Sequence, residues 1–398
     1  MSALFAGRMQ NTQKSFIREI LKVTEDPEVI SFAGGLPNPN FFPVEALAEV
    51  SAKVLAQDGR RVLQYSTTAG YQPLRELIAQ RYANQGLVID PDEILIINGS
   101  QQGLDLVGKL FLEAGDRVIL ERPGYLGAIQ AFSLYEPEFV PVSLEVDGPH
   151  LAELEAALSQ SRLKLFYTVP NFQNPSGLTY TEAKRRAVAE LVRQRDLIVV
   201  EDNPYGELRF TGEDAPSLKS FLGEQTVLLG SFSKVVAPGL RLGWICASPA
   251  IMDKLIVAKQ AVDLHSNYFS QRVVAQFLLD HDLEAHLEQI RALYRRQCEL
   301  MVSLMDELFP PEVTFTRPEG GMFIWVTLPE GISSMDLFER AAQRKVVFVP
   351  GSPFYVDGGG HNTLRLNFSN ADEARIETGM IRLVEAMKEV LAQPRPVV

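Results

Sequence analysis

The chain has 398 residues, of which 46% are apolar and 22% charged, and its formal net charge is −12 at pH 7. That negative charge repels nucleic acid and anionic membranes, so we expect neither as a partner. The length exceeds what one hydrophobic core usually organises, which predicts a larger domain with a smaller companion. Two cysteines, Cys246 and Cys298, stand far apart in no redox or metal spacing, which favours a reducing compartment.

The first ten residues lack the apolar core of a signal peptide, and no later stretch is long and apolar enough to span a bilayer. The five histidines are scattered without the spacing of metal ligands, so no metal is predicted. These features predict a cytoplasmic enzyme of small molecules.

In chain order, the first predicted element is an amphipathic pattern around residues 16–23, followed by a stretch rich in proline and glycine. From about residue 46 to 280, short apolar runs alternate with helical stretches. That alternation predicts an α/β domain with a mostly parallel central sheet and helices on both faces. Its strands are predicted at 94–98, 117–120, 163–169, 197–201, 226–230 and 242–247.

After a long helical pattern at about 283–308, the order of the predicted elements changes. Strands are predicted near 313–317, 322–327, 346–349 and 363–368, with helices near 335–343 and 372–392. This order predicts a smaller α+β domain. We set the boundaries of the three parts at 1–45, 46–290 and 291–398.

The segment GSFSKVVAPGLRLG, residues 230–243, follows a short apolar run that predicts a buried strand. It places Lys234 beside the hydroxyls of Ser231 and Ser233, with Arg241 seven positions further on. Such a set can hold an aldehyde cofactor by its carbon and its phosphate together. A solvated lysine in a surface loop is the common alternative for an isolated pattern of this kind, so further residues are needed.

Residues 163–205 contain further candidate site residues. An apolar run, LKLFYTV, ends in the turn-forming stretch PNFQNPSG, and a helical pattern then leads to LIVV and EDNPY. Strand, loop, helix and strand form a βαβ unit whose strands run parallel. Asn174, Asp202 and Lys234 therefore leave the same edge of the sheet, where ligands of open α/β sheets bind.

An anion site is predicted at the turn 98–100, where the run ILII ends and a helix begins at about Gln101. Free amides at a helix start face an incoming anion, and Ser100 and Gln101 add side-chain donors. Arg241 and the two serines of the lysine segment add charge and donors that suit a dianionic phosphate. A serine before a helix is commonly a cap, and the two roles are compatible.

Together with SFAGGLP at 31–37 and NGSQQ at 98–102, these motifs resemble the class I and II aminotransferases, pyridoxal-phosphate enzymes of fold type I. The matching motifs run from about Ser31 to Ser369. Within that family the chain is most similar to the branch that contains 2-aminoadipate, kynurenine and aromatic aminotransferases. The resemblance implies a large cofactor-binding domain over 46–290 and a segment 1–45 that packs with the small domain.

The resemblance also implies pyridoxal 5′-phosphate as the cofactor and assigns a role to each matching residue. Lys234 forms a Schiff base with the cofactor and moves the substrate proton, while Asp202 keeps the pyridine nitrogen protonated. Asn174 and Tyr205 donate to the phenolic oxygen, with Tyr205 also in the catalytic set, and Tyr125 stacks on the ring. The phosphate contacts are Ser100, Gln101, Ser231, Ser233 and Arg241, with Tyr65 reaching in from the partner subunit of a homodimer.

Substrate binding is assigned to Gly35, Asn174, Arg365 and Arg18. Arg365 lies in the apolar run TLRLNF, where an arginine is costly unless it is paired, and its planar fork suits an α-carboxylate; a structural ion pair is the alternative. Arg18 is expected to meet a side-chain carboxylate, and a solvated helix arginine is the alternative.

The activity implied is ping-pong transfer of an amino group from an L-amino acid to 2-oxoglutarate. The donor is of 2-aminoadipate, aromatic, glutamate or branched-chain type. Other pyridoxal-phosphate chemistry, as in a lyase or racemase, and a non-catalytic sensor that binds the cofactor stay open. A serine hydrolase is disfavoured because the chain lacks the S-D-N and K-T-G strings that accompany S-x-x-K.

Overall fold

The structure is a computed structural model that describes residues 4–9 and 26–392. The strands in these ranges are β1 (Ile30–Ser31), β2 (Ile94–Ile97), β3 (Arg117–Arg122), β4 (Glu138–Glu145), β5 (Gly148–Pro149), β6 (Leu163–Thr168), β7 (Ile198–Asp202), β8 (Thr226–Ser231), β9 (Gly243–Cys246), β10 (Thr314–Phe315), β11 (Phe323–Thr327), β12 (Val346–Val347), β13 (Val349–Pro350) and β14 (Thr363–Asn367). The α-helices are α1 (Val44–Val62), α2 (Gln72–Asn84), α3 (Ser100–Phe111), α4 (Leu126–Ser133), α5 (Leu151–Leu158), α6 (Glu182–Val192), α7 (Leu218–Leu222), α8 (Pro249–Gln260), α9 (Tyr268–Asp280), α10 (Leu283–Leu308), α11 (Ser334–Gln343) and α12 (Glu373–Leu391).

Within the described ranges, the largest sheet has eight strands in the order β2-β9-β8-β7-β6-β3-β4-β5. Strands β4, β3, β6, β7 and β8 run parallel, and β9 is antiparallel to both β8 and β2. Every residue of β2, β8 and β9 is buried, as expected for apolar runs covered by helices on both faces. The mostly parallel sheet predicted from the alternation of elements is confirmed.

A second sheet of four strands, counted over the same ranges, has the order β10-β11-β14-β13 and is antiparallel. Strand β1 pairs with β12 in parallel, with Ile30 opposite Val346. Residues 30 and 31 are therefore bonded to the C-terminal part of the chain. The boundaries at 45 and 290 stay a prediction.

Three strands of the large sheet differ from the sequence-based expectation, and the first is the two-residue strand β5, which was not predicted. Strand β4 was not predicted, because Pro141 and flanking glutamates interrupt its apolar pattern and most of its residues are only half-buried. Strand β9 breaks the parallel run, since the short connection from β8 returns it as a hairpin. Among the described residues, no helix is long and apolar enough to cross a membrane.

Candidate active site

A cavity of about 300 Å³ lies where β2, β3, β6, β7 and β8 end. Its lining includes every site residue expected from the sequence except two. These residues are Gly35, Ser100, Gln101, Tyr125, Asn174, Asp202, Tyr205, Ser231, Ser233, Lys234, Arg241 and Arg365. Of the two exceptions, Tyr65 is 79% exposed on the surface, and Arg18 lies outside the described residues.

Lys234 is partly buried in the turn that follows β8, and its Nζ donates to the carbonyl oxygen of Gly35 over 2.7 Å. Burial of the amine, together with the positive charges of Arg365 and Arg241, lowers the pKa of Lys234 to about 8. A substantial fraction of the amine is therefore neutral near pH 8. A neutral amine is the form that attacks a carbonyl carbon and accepts a proton.

Asp202 ends β7 and is almost completely buried. Its Oδ2 accepts a hydrogen bond of 2.8 Å from the hydroxyl of Tyr167, whereas Oδ1 has no partner in the described part of the chain. The pKa of Asp202 is raised to about 7. Burial is the largest cause, the Tyr167 hydrogen bond opposes it, and the negative charge of Glu121 adds to it. A buried acceptor without a donor is costly, so Oδ1 suits a cationic N–H group of a ligand.

The opposite end of the cavity has the features of an anion site. Gly99 adopts φ +74° before the first residue of α3, and a Cβ added there would lie 2.7 Å from Nη2 of Arg241. Glycine is therefore required both by the backbone angle and by the close approach of the guanidinium. The Oγ atom of Ser100 is buried and has no partner among residues 4–9 and 26–392. The start of α3, with Ser100, and the Arg241 charge thus line the same part of one cavity.

Arg365 lies on β14, opposite Trp325 of β11, and is only 2% exposed. Its Nη1 donates to Oδ1 of Asn174 over 2.7 Å, and its Nη2 donates to the carbonyl oxygen of Ala33 over 2.6 Å. Its Nε has no partner in the described residues, and the guanidinium carbon lies 4.3 Å from the centre of the Phe323 ring. Burial lowers the pKa of Arg365 to about 10. A cation held by neutral acceptors and an aromatic face is suited to a carboxylate ligand.

Three further side chains line the cavity between these charged groups. Asn174 donates from Nδ2 to the hydroxyl of Tyr205 over 3.4 Å. Burial raises the pKa of Tyr205, and burial with the negative charge of Asp202 raises the pKa of Tyr125 to about 12. Both phenols are therefore neutral at physiological pH and available as hydrogen-bond donors.

A larger cavity, of about 780 Å³, lies among α2, the loop after β7 and α10. Arginines line it, but Arg81 pairs with Glu207, and Arg209 pairs with Asp214 over 2.9 Å. These charges satisfy one another, and the cavity contains none of the residues expected to be functional. The smaller cavity is the better candidate.

Two residues of the site were not predicted from the sequence. Tyr167, on β6, is bonded to Asp202, and Phe323, on β11, stacks on Arg365. A tyrosine in an otherwise apolar buried strand signals a hydroxyl that needs a partner, and this could have drawn attention to Tyr167. The sequence carries no comparable signal for Phe323.

Comparison with known proteins bears on what this cavity is. The family model of the class I and II aminotransferases matches residues 28–383. The chain belongs to this family. It is 46% identical over 392 residues to the 2-aminoadipate transaminase of Thermus thermophilus, covering 97% of this chain and 96% of that protein. It is 43% identical over 395 residues to aromatic-amino-acid aminotransferase 1 of Thermococcus litoralis, covering 97% and 94%.

Among solved structures, this aminotransferase is similar to the alpha-aminoadipate aminotransferase of Thermus thermophilus crystallised with N-(5′-phosphopyridoxyl)-L-leucine. The two share 44% identity and a TM-score of 0.92, over 98% of this chain and 99% of that one. The predicted family, fold type I architecture, aminotransferase activity and pyridoxal 5′-phosphate cofactor are thereby confirmed. The roles of individual residues stay a prediction.

The residues present fit this cofactor. Oδ1 of Asp202, buried and without a partner in the described residues, suits the protonated ring nitrogen. Ser100 Oγ, equally unpartnered there, lies with Arg241 at the start of α3 and suits the phosphate. The Lys234 amine lines the same cavity and suits the aldehyde carbon.

Proposed function

We propose that this aminotransferase moves the amino group of an L-amino acid to 2-oxoglutarate in two half-reactions that use one site. The donor is of 2-aminoadipate, aromatic, glutamate or branched-chain type. The observation that carries the proposal is that one cavity is lined by an amine with a lowered pKa, an unpartnered buried carboxylate oxygen and a buried arginine without a carboxylate partner in the described residues. The relatives named for 2-aminoadipate and aromatic amino acids support the range of donors.

Lys234 carries the proton in this proposal. When bound, the cofactor supplies a protonated ring that takes up the electron pair left on the substrate α-carbon. Nζ of Lys234, neutral in part at pH 8, would accept the substrate α-proton and later give it up again. Because the amine lies 2.7 Å from the carbonyl oxygen of Gly35, that carbonyl holds it inside the cavity when it is not covalently engaged.

The two ends of the cofactor are held by different groups. Asp202, whose Oδ1 has no partner in the described residues, would accept the ring N–H and so keep the nitrogen charged. Ser100, Gln101 and Arg241, with Ser231 and Ser233, would donate to the phosphate. Asn174 and Tyr205 would donate to the phenolic oxygen, and Tyr125 would stack on the ring. Fixing both ends orients the bond to be broken relative to the ring.

The substrate α-carboxylate binds to Arg365, with Asn174 and Gly35 beside it. The Phe323 ring and the shared contact with Asn174 fix the guanidinium plane, so the carboxylate is received in one orientation. The bound carboxylate places a negative charge beside the buried guanidinium. Hydrogen bonds from Arg365 to neutral groups are then replaced by stronger charge-assisted ones.

Borohydride reduction of the holoenzyme followed by peptide mapping tests the covalent assignment. We expect a pyridoxyl label on the peptide that contains Lys234 and on no other peptide, and a label on a different lysine contradicts the assignment. A panel of amino acids without acceptor tests the reaction class. Formation of a 2-oxo acid with conversion of the cofactor to its amino form supports transfer, whereas decarboxylated or racemised product indicates lyase or racemase chemistry.

The preference for acidic donors is proposed to depend on Arg18, which lies outside the described residues. Arg18→Ala is expected to lower kcat/KM for 2-aminoadipate and glutamate far more than for aromatic amino acids. Equal losses for both classes contradict this role, because a general defect would not distinguish them.

We also propose a cytoplasmic homodimer in which Tyr65 completes the phosphate site of the partner. The support is that Tyr65 is 79% exposed although its edge packs on His265, with ring centres 5.9 Å apart. Leu63 and Leu264, on the same two segments, are 73% and 53% exposed, which is typical of a surface covered by another subunit. Mixing inactive Tyr65→Ala and Lys234→Ala chains is expected to restore activity, and failure to do so contradicts the sharing.

A further inference from the structure

A buried ion pair lies directly behind the turn that joins β2 to α3. Lys259, at the end of α8, is fully buried, and its Nζ lies 2.9 Å from Oδ1 and 3.0 Å from Oδ2 of Asp263. The same Nζ donates to Oε1 of Gln102 over 2.9 Å and to Oγ of Ser266 over 3.1 Å. A buried ammonium is costly unless several acceptors surround it, and this arrangement meets that requirement.

Asp263 connects the ion pair to the turn. Its Oδ2 accepts hydrogen bonds from Nδ2 of Asn98 over 2.6 Å and from Nε2 of Gln102 over 2.7 Å. Oε1 of Gln102 in turn accepts the backbone N–H of Asn98 over 2.8 Å. The carbonyl oxygen of Asn98 lies 3.4 Å from Nη2 of Arg241. Asn98 is thus held by its side chain, its amide and its carbonyl.

The anion-facing groups follow immediately in the chain. Gly99 has a left-handed φ of +74°, and Ser100 Oγ has no partner in the described residues. The first amides of a helix also lack acceptors within the helix. With Asn98 fixed from behind, these donors keep one position relative to Arg241, so the site is formed before the anion arrives.

We propose that Lys259 and Asp263 are positioning residues for the phosphate end of the cofactor, because together they hold the 98–102 turn in its anion-binding shape. This inference rests on the assignment of Ser100 and Arg241 to the phosphate in the proposed function. An ordinary ion pair that only closes the end of α8 would bond within its own segment. Oδ2 of Asp263 instead bonds side chains 165 and 161 residues away.

A comparison of two ligands separates positioning from general damage. The dissociation constants of pyridoxal 5′-phosphate and of pyridoxal, which lacks the phosphate, are measured on the cofactor-free full chain by quenching of tryptophan fluorescence. Asp263→Asn and Lys259→Met are compared with Lys184→Met. Lys184 is a matched control, since its side chain is 9% exposed and it pairs with Glu145 and with Asp147, outside the cavity.

Asp263→Asn is expected to weaken pyridoxal 5′-phosphate binding by about tenfold or more, the effect of losing charge-assisted hydrogen bonds, and to change pyridoxal binding by less than about twofold. Lys184→Met is expected to change neither. If Lys259→Met does not fold, Gln102→Leu is the alternative variant. It removes a neutral donor to Asp263 and the acceptor for Lys259 and for the Asn98 amide, and it is expected to weaken binding of the phosphate ligand alone.

The inference is overturned if Asp263→Asn loses affinity equally for both ligands or for neither. The proposed function is untouched by that result as long as the wild-type chain still prefers the phosphorylated ligand. If the wild-type chain binds both ligands equally, the phosphate assignment in the proposed function fails as well. Competition by inorganic phosphate gives a second measurement. Its competition constant, corrected for the cofactor affinity of each protein, is expected to be higher for Asp263→Asn than for wild type, and an unchanged constant counts against the inference.

Discussion

The hydroxyl of Tyr167 donates to Oδ2 of Asp202 over 2.8 Å and leaves Oδ1 as the carboxylate oxygen without a partner in the described residues. Tyr167 lies on β6 and Asp202 at the end of β7, on neighbouring parallel strands. The hydrogen bond stabilises the carboxylate and fixes which of its two oxygens is available to a ligand.

Tyr167→Phe is expected to raise the pKa of Asp202 above about 7, because the hydroxyl that lowers it is removed. At pH 7 the cofactor-free protein should then bind pyridoxal 5′-phosphate about tenfold more weakly, since less of the acid is ionised. The deficit should shrink at pH 9, where both proteins are ionised. Tyr294→Phe is the control, because Tyr294 is equally buried but its hydroxyl bonds the amide of Asn38. A deficit independent of pH contradicts the explanation.

Arg365→Lys is expected to lower kcat/KM for amino acids by about a hundredfold, since lysine keeps the charge but loses the planar pair of donors. Cofactor affinity should change by less than about twofold, because Arg365 is assigned to the substrate rather than the cofactor. Steady-state kinetics and a cofactor titration of the same preparation check both parts. A loss confined to cofactor affinity would assign Arg365 to the cofactor instead of the substrate.

Gly230→Ala is expected to lower the free energy of unfolding by about 3 kcal/mol, because overpacking forces neighbours to shift. A Cβ at Gly230 would lie 2.2 Å from the ring of Trp244, its neighbour across β8 and β9. Gly59→Ala is the control, since no atom of the described residues lies within 4 Å of its added Cβ and the residue is in helix α1. That variant should be neutral or more stable in denaturant unfolding. Equal stability of both variants contradicts the packing argument.

The stability of the cofactor-free protein should fall as the pH rises from about 4 to 7 on account of Asp202. Its pKa is raised to about 7 from an ordinary 3.8, so over this interval the folded chain binds a proton that the unfolded chain has lost. The contribution is at most about 4 kcal/mol and is complete above pH 7. Lys234 contributes little over this interval, because with a pKa of about 8 it is mostly protonated up to about pH 7 in the folded chain and fully protonated in the unfolded chain.

Thermal unfolding of cofactor-free wild type and Asp202→Asn at pH 5 and pH 7.5 measures this effect. The asparagine cannot titrate, so its melting temperature should decline less between the two values than that of wild type. Cofactor binding should show the opposite trend and strengthen as the pH rises through 7. Parallel declines in the two proteins would assign the titration to another group.

The convergence of Asn174, Asp202 and Lys234 could be predicted because each follows an apolar run, and parallel strands deliver their C-terminal ends to one edge. Strand order and register could not be predicted. The bond between Tyr167 and Asp202 depends on β6 lying beside β7 in one alignment. The link from Asp263 to Asn98 joins residues 165 apart that carry no common motif.

Other parts of the site depended on the resemblance rather than on local pattern. An arginine in the apolar strand around Arg365 predicts a bound anion, but nothing in the run identifies a substrate carboxylate instead of an ion pair. The exposed position of Tyr65 agrees with a role in a partner subunit, yet exposure alone carries no information about which site it would reach. Strand β4 was missed because Pro141 and its flanking glutamates interrupt the apolar pattern, and most of its residues are only half-buried.

The hydrogen bond from Arg365 to Ala33 spans 332 positions of the chain. A ribosome must therefore synthesise almost the entire polypeptide before the carboxylate-binding groups can meet. Nascent chains that stop short of β14 lack half of that pocket, however well their first sheet has formed. Capture of the substrate carboxylate is consequently possible only after β14 has been synthesised, whereas every residue assigned to the cofactor precedes that strand in the chain.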